Sequence, residues 1–231
     1  MIGVKPLVEN GVFSNTGQSE RDRMTTRLTL ISHAATSAQR RTAFPLDELV
    51  NEREIVRIAD LGWKAPRAQR ILVAPEHRTE QTACALGLSA TITVELRDCN
   101  YGAWSGREIS EIQSDDPEGI LSWLTDPTAS PHGGESIESL IGRAARWMDE
   151  QVEVSHIIAM THPAVIRSAI VHALQAPALA FWRIDIAPLS LTDLRFNGRV
   201  WTVRSIACPL GKPDREKASG ESNEQPENEC H

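Results

Sequence analysis

The sequence predicts an α/β fold: a three-layer sandwich with a mainly parallel central sheet and helices on both faces. Three observations carry that prediction. Two apolar runs rich in branched residues, Leu28 to Ser32 and His156 to Thr161, lead into His33 and His162, as buried parallel strands that deliver a side chain at their C-terminal edge would. Strand-like runs alternate with helix-spaced stretches between them, the pattern of layered α/β domains. Two further strand-like runs, Leu189 to Phe196 and Val200 to Ile206, flank Asn197-Gly198, a two-residue turn signal for an antiparallel hairpin at the sheet edge.

Residues 1–26 mix Gly, Asn, Ser, Gln and charges without periodicity and are expected to form a flexible arm. After the His33 turn, Arg40-Arg41 and Phe44-Pro45 predict a loop, and Leu46 to Leu61 a helix closed by Gly62. Ile71 to Ala74 reads as a strand ended by Pro75, and Glu76 to Leu86 as a helix stopping at Gly87. Thr91 to Val94 is a short strand, and Leu96 to Gly106 an irregular segment spaced by Gly102 and Gly106. Residues 107–132, with Pro117, Pro127 and Pro131 around short apolar clusters, read as a partly helical flap. Ser136 to Val152 has one apolar face through Ile137, Leu140, Ile141, Ala144 and Met148, and a second stripe runs through Ile166, Ala169, Ile170 and Ala173 in a helix beginning near Val165. One domain is expected over 27–211, and residues 212–231, with six acidic against three basic side chains and almost nothing apolar, are expected to be disordered.

A length of 231 residues with 41% hydrophobic side chains supports one sizeable core. The formal net charge of −7 shows no basic face for nucleic acid, so small molecules are the expected partners. Cys84, Cys99, Cys208 and Cys230 form no CxxC pair, which leaves neither a zinc ribbon nor a disulfide scaffold and predicts reduced thiols. No run approaches the ~20 apolar residues of a membrane span, and a cytoplasmic protein is expected. Neither a GxGxxG nor a Walker motif occurs, which weakens nucleotide binding, and the absence of a GxSxG elbow weakens a serine hydrolase.

Four stretches together resemble the histidine phosphatase superfamily, in its phosphoglycerate mutase-like branch, over roughly residues 27 to 206. His33-Ala34-Ala35-Thr36 is similar to the family's Arg-His-Gly-x-Thr, with Ser32 and Ala34 in place of its arginine and glycine. Ala74-Pro75-Glu76-His77-Arg78-Thr79-Glu80-Gln81-Thr82-Ala83 is similar to Ser-Pro-x-x-Arg-x-x-Gln-Thr-Ala. Leu96-Arg97-Asp98, followed by Gly102-Ala103-Trp104-Ser105-Gly106, resembles Leu-x-Glu with a downstream Gly-x-Trp-x-Gly. Gly133-Gly134-Glu135-Ser136 and, later, Thr161-His162-Pro163-Ala164-Val165-Ile166-Arg167 resemble the last pair of motifs, the second of them Ser-His-Gly-x-x-x-Arg.

The resemblance implies a phosphoglycerate mutase-like fold and a phosphomonoester hydrolase acting through a phosphohistidine on a small phosphorylated metabolite. His33 would attack phosphorus, because a neutral imidazole is nucleophilic at physiological pH. Arg78 and a protonated His162 would hold the phosphoryl group, and Asp98 would protonate the leaving alkoxide. Thr36 would add to the phosphate site, and Glu135 would support it from behind. No metal or other cofactor is implied, and no dense His/Asp cluster suggests one. A second copy of the chain, as a homodimer, is the protein partner left open.

The departures generate expectations of their own. Ser32 removes a guanidinium, and Arg40 and Arg41 are expected to fold back and supply the missing positive field. Pro163 removes a backbone donor and biases His162 toward extended geometry. A relative that binds phosphorylated ligands without turnover is the alternative function. The flap carries Glu108, Glu111, Asp115, Asp116, Glu118 and Asp126 against a single Arg107, so the substrate is expected to bear an uncharged, apolar or cationic remainder, stacked on Trp104 or Trp123.

Overall fold

The computed structural model describes residues 25–152 and 155–211. The expected arm lies outside these residues apart from its last two, and the expected tail lies outside them entirely. The elements in order are β1 (Thr26–Ser32), α1 (Ser37–Arg41), α2 (Glu52–Asp60), β2 (Arg70–Val73), α3 (His77–Ala85), β3 (Thr91–Ile92), α4 (Ile109–Asp115), α5 (Pro117–Thr125), α6 (Ile137–Asp149), β4 (His156–Thr161), α7 (Pro163–Leu174), β5 (Ser190–Phe196) and β6 (Trp201–Pro209). Short 3-10 turns occupy Val94–Leu96, Gly102–Trp104 and Ala178–Arg183.

The strands form one six-stranded sheet in the order β3-β2-β4-β1-β5-β6. β3, β2, β4 and β1 run parallel to one another, while β5 pairs antiparallel with both β1 and β6. Every residue of β4 is buried, as a strand covered on both faces requires. Its side chains alternate between two cores: Ile157 and Ala159 join Leu140 and Met148 of α6 and Ile166 and Ile170 of α7, whereas Ile158 and Met160 join Ile58 of α2 and Ala83 of α3. That alternation is the three-layer sandwich written in side chains. Among the described residues no helix is long and apolar enough to cross a membrane.

Register places the two histidines. β1 and β4 pair through Arg27↔His156 to Ser32↔Thr161, so His33 and His162 leave adjacent parallel strands at the same level, and the His33 N–H still donates to the Thr161 carbonyl at 3.1 Å. His162 is extended (φ −108°, ψ 152°) and caps α7, which begins at Pro163 rather than near Val165. Proline fits the first helical position because its missing N–H would have no partner there.

Other boundaries also move. Leu46 to Asn51 is not helical: Leu46 and Leu49 are about 60% exposed, the Glu48 carboxylate accepts from the Ser37 hydroxyl at 2.7 Å, and the Val50 N–H donates to Gln81 Oε1 at 2.8 Å. These side-chain bonds hold the backbone out of the helix until Asn51, after which Glu52 and Glu54 favour the positive end of α2. The stretch at Arg40-Arg41, expected as loop, closes one helical turn that ends at Thr42 with φ 54°. Only Thr91 and Ile92 of the third expected strand pair in the sheet. The flap stretch folds as α4 and α5, and Ile112, Ile120 and Trp123 enter the main core.

Candidate active site

The strand ends build the site. His33 is 3% exposed and His162 fully buried, with ring centroids 5.2 Å apart and planes at 63°. His33 Nδ1 lies 2.7 Å from the Ala34 carbonyl. A carbonyl only accepts, so Nδ1 carries the proton and the lone pair sits on Nε2. Burial, the neighbouring His162 and the Arg78 guanidinium push the His33 pKa down to about 3, which keeps the ring neutral.

β2 lies beside β4, with Val73 opposite Met160, so the turn after β2 reaches the same place. Thr79, in the first turn of α3, ties that turn down by donating its hydroxyl to the Ala74 and Glu76 carbonyls at 2.8 and 2.6 Å. Arg78 is 2% exposed; it donates to Asp98 Oδ2 at 2.6 Å and to the Leu46 carbonyl at 2.9 Å. Asp98 Oδ2 is also 3.5 Å from His162 Nδ1, too long and misaligned for a hydrogen bond, so Nδ1 has no bonding partner among the described residues.

Glu76 completes the cluster. His162 Nε2 donates to Glu76 Oε2 at 2.7 Å, and Glu76 Oε1 accepts from the Asp98 N–H at 3.0 Å. Burial alone would raise both carboxyls. For Asp98 the charges of His162 and Arg78 outweigh it, and for Glu76 the hydrogen bond and charge of His162 do, so both lie below their ordinary values.

Glu135 stands behind this group, paired through both oxygens with Arg143 at 2.9 and 2.7 Å. Arg143, 7% exposed, also donates to the carbonyls of Glu95, Arg97 and Asp98, so it holds the backbone that carries Asp98. That segment runs tightly against 132–135. A Cβ on Gly134 would come within 2.0 Å of the Asn100 carbonyl oxygen, and one on Gly102, at φ +47°, within 2.0 Å of the His132 carbonyl oxygen.

A cavity of about 150 Å³ opens beside the cluster, lined by His33, Thr36, Gln39 and Asp98 and by Tyr101, Trp123, Phe181, Trp182 and Arg167. The Thr36 hydroxyl is buried without a partner, while its N–H donates to Gln39 Oε1 at 3.2 Å. His33, Arg78, Asp98 and His162 are thus brought together, with Thr36 beside them. Arg40 and Arg41 are not: both are exposed and absent from the cavity wall, and Arg41 reaches only Glu108 at 3.9 Å. They sit on α1, whose buried position is Ala38, so the helix turns its arginines outward. Ser32 is fully buried, and its hydroxyl has no partner among the described residues. None of the six flap acids lines the cavity, and Trp104 lies in the aromatic core behind Trp123 rather than in the wall.

Three residues of the site were given no role from sequence: Glu76, Arg143 and Arg167. Glu76 and Arg167 stand inside the motifs quoted above. Arg143 interrupts the apolar face of α6 three residues after Leu140, which is where a buried charge would have shown itself.

Comparison with known proteins identifies the family. Bifunctional protein Rv2228c of Mycobacterium tuberculosis is 30% identical over 189 residues, covering 75% of this chain and 51% of that protein. Glucosyl-3-phosphoglycerate phosphatase of the same species is 31% identical over 111 residues, covering 46% of this chain and 49% of its own length. The chain therefore spans about half the length of these curated relatives. Among solved structures, a putative α-ribazole-5'-P phosphatase from Escherichia coli superposes with a TM-score of 0.70 at 21% identity over 80% of this chain and 98% of that one, which identifies the phosphoglycerate mutase-like fold. The family model described as histidine phosphatase superfamily (branch 1) matches residues 28–209, and the chain belongs to that family.

Proposed function

We propose that the protein is a phosphomonoester hydrolase that works through a phosphohistidine on His33 and acts on a small phosphorylated metabolite. The observation that carries this reading is the buried, neutral His33, its Nδ1 proton held by the Ala34 carbonyl so that Nε2 is free to attack. Nε2 forms a bond to phosphorus, the ester P–O bond breaks, and a proton from Asp98 goes to the departing alkoxide. Water then attacks phosphorus, Asp98 takes its proton, the P–N bond breaks and phosphate leaves. Arg78 and His162 stabilise the charge on the phosphoryl oxygens, and Glu76 orients His162.

Asp98 is ionised and tied to Arg78 before substrate arrives. An incoming phosphoryl group takes over the guanidinium, and Asp98, now beside the substrate's negative charge, becomes easier to protonate. The second phosphate pKa is ~6, so the monoanionic ester brings the required proton with it. Rapid quench with labelled ester should trap acid-labile, base-stable protein phosphate in the parent and none in His33→Ala. Equal label in both would rule out His33.

The alternative, a protein that binds phosphorylated ligands without turnover, draws support from Arg78 being already paired and from Ser32 standing where the family has a cation. It is distinguished by phosphate or vanadate binding with no trapped intermediate on any ester.

A further inference from the structure

We infer that the cavity beside His33 is a leaving-group chamber for a phosphomonoester whose remainder is one flat apolar ring, or a body of that size, bearing a single carboxylate that Arg167 receives; this rests on the phosphatase reading above. The first support is size and surface. A cavity of about 150 Å³ walled by Trp123, Phe181, Trp182 and Ile137 is of the volume in which a benzene-sized ring is held. The Trp123 and Trp182 centroids are 4.5 Å apart at 70°, so the wall offers both a ring face and a ring edge.

The second support is charge. Among the described residues Arg167 is the only cation in the cavity lining, and it has little to neutralise it. Its one acid within 4 Å among those residues is Asp185, at 3.9 Å and with a 98% exposed side chain, a screened pair of little strength. Its guanidinium carbon lies 5.6 Å from the Phe181 ring centroid, which places the charge against the aromatic wall. The other charge in the lining, Asp98, is an anion paired with Arg78 before substrate arrives.

The third support is the sign of the unmet hydrogen bonding. The indole N–H groups of Trp123 and Trp182 and the Nε–H of Arg167 are buried without an acceptor among the described residues. All three are donors and belong to residues of the cavity wall, so acceptor oxygen is what these side chains lack. One guanidinium matches one carboxylate, whereas a second phosphate dianion would add charge beside Asp98 that no other cation of the wall offsets. A cationic remainder, expected from the flap acids, would instead meet Arg167.

The test compares benzyl phosphate with its 3-carboxy, 4-carboxy and 4-aminomethyl derivatives, whose leaving groups are alike in basicity. The parent should favour one carboxylated ester over benzyl phosphate in kcat/KM by about ten- to a hundredfold, the range of a charged hydrogen bond. Arg167→Ala, or Arg167→Gln should the alanine variant fold poorly, should lose at least tenfold more on that ester than on benzyl phosphate. No preference in the parent, a preference for the aminomethyl ester, or equal losses on both esters would overturn the inference while leaving the hydrolase standing. If no ester is turned over, the hydrolase reading fails instead, and calorimetric affinities for 3- and 4-carboxybenzylphosphonate against benzylphosphonate decide the chamber: tighter binding of either carboxylated compound upholds it, and equal affinities overturn it.

Discussion

The two halves of the site solve opposite problems. Around His33 each acid meets a partner within the protein: Asp98 faces Arg78, Glu76 faces His162, and Glu135 faces Arg143. Along the cavity wall, Trp123, Trp182 and Arg167 carry buried donors with no acceptor among the described residues. On the proposed function, the difference separates the chemistry from the choice of substrate. On the proposed function, a group that every phosphomonoester shares can displace an internal partner, because phosphate replaces Asp98 as the anion facing Arg78 while Asp98 takes up a proton. A group that distinguishes one ester from another has to meet a side chain that is not already satisfied.

The sharpest way to break the comparison is to remove one partner from the matched half. Arg78→Ala leaves Asp98 buried without its cation and should destabilise the fold by about 3–5 kcal/mol, while Arg78→Ala with Asp98→Asn should recover much of that loss but no activity. Denaturant midpoints of the two variants measure it. A single variant as stable as the parent would show that the pair is not balanced as described. Arg143→Ala should cost about 3 kcal/mol by freeing Glu135, and should lower kcat more than it raises KM because Asp98 loses its support. A change confined to KM would place Arg143 elsewhere in the mechanism.

Acid sensitivity is the next effect in size. An unfolded imidazole binds its proton below 6.5, but His33 in the fold resists it down to about 3, so between these values the unfolded state binds more protons and stability falls as pH falls. By about pH 5 this amounts to about 2 kcal/mol relative to neutrality. Asp98 and Glu76, held below their ordinary values, add losses of the same sign at lower pH. Melting curves of the parent and His33→Asn isolate the imidazole, and an unchanged slope in the variant would remove His33 as the source. The smallest effect belongs to Arg40→Ala and Arg41→Ala, exposed and outside the cavity wall, which should change phosphate or vanadate affinity less than twofold. A tenfold loss in either would restore them to the site.

What could be read from sequence follows from where information lies along the chain. His33 and His162 were legible because each ends an apolar strand, and a strand's end is a local signal. Arg78 and Asp98 were legible because each lies in a contiguous motif. Glu76 was not, since its task depends on β2 lying next to β4, a pairing of segments far apart in the chain. Arg143 reaches across 45 residues to Asp98, and no local pattern reports such a contact. The error at Leu46 to Asn51 is instructive in the other direction: a helix closed by Gly62 was expected from Leu46 to Leu61, but Ser37 and Gln81 supplied competing bonds from elsewhere in the fold. The flap acids misled for a related reason, because composition counts charges without saying which way a helix turns them.

The pairing of Ser32 with Thr161 ties the fate of the candidate site to that of the sheet. The spacing of the two histidines is set inside the sheet, and the His33 amide is itself bonded to Thr161. That amide can exchange with solvent only when β1 and β4 part, an opening on the scale of the whole domain rather than of a loop. Protection of the His33 amide in hydrogen exchange should therefore match that of Leu30 or Ala159 in the strand interiors, and no partly open, catalytically slack form should accumulate before the domain unfolds. His33 is as durable as the core that holds it.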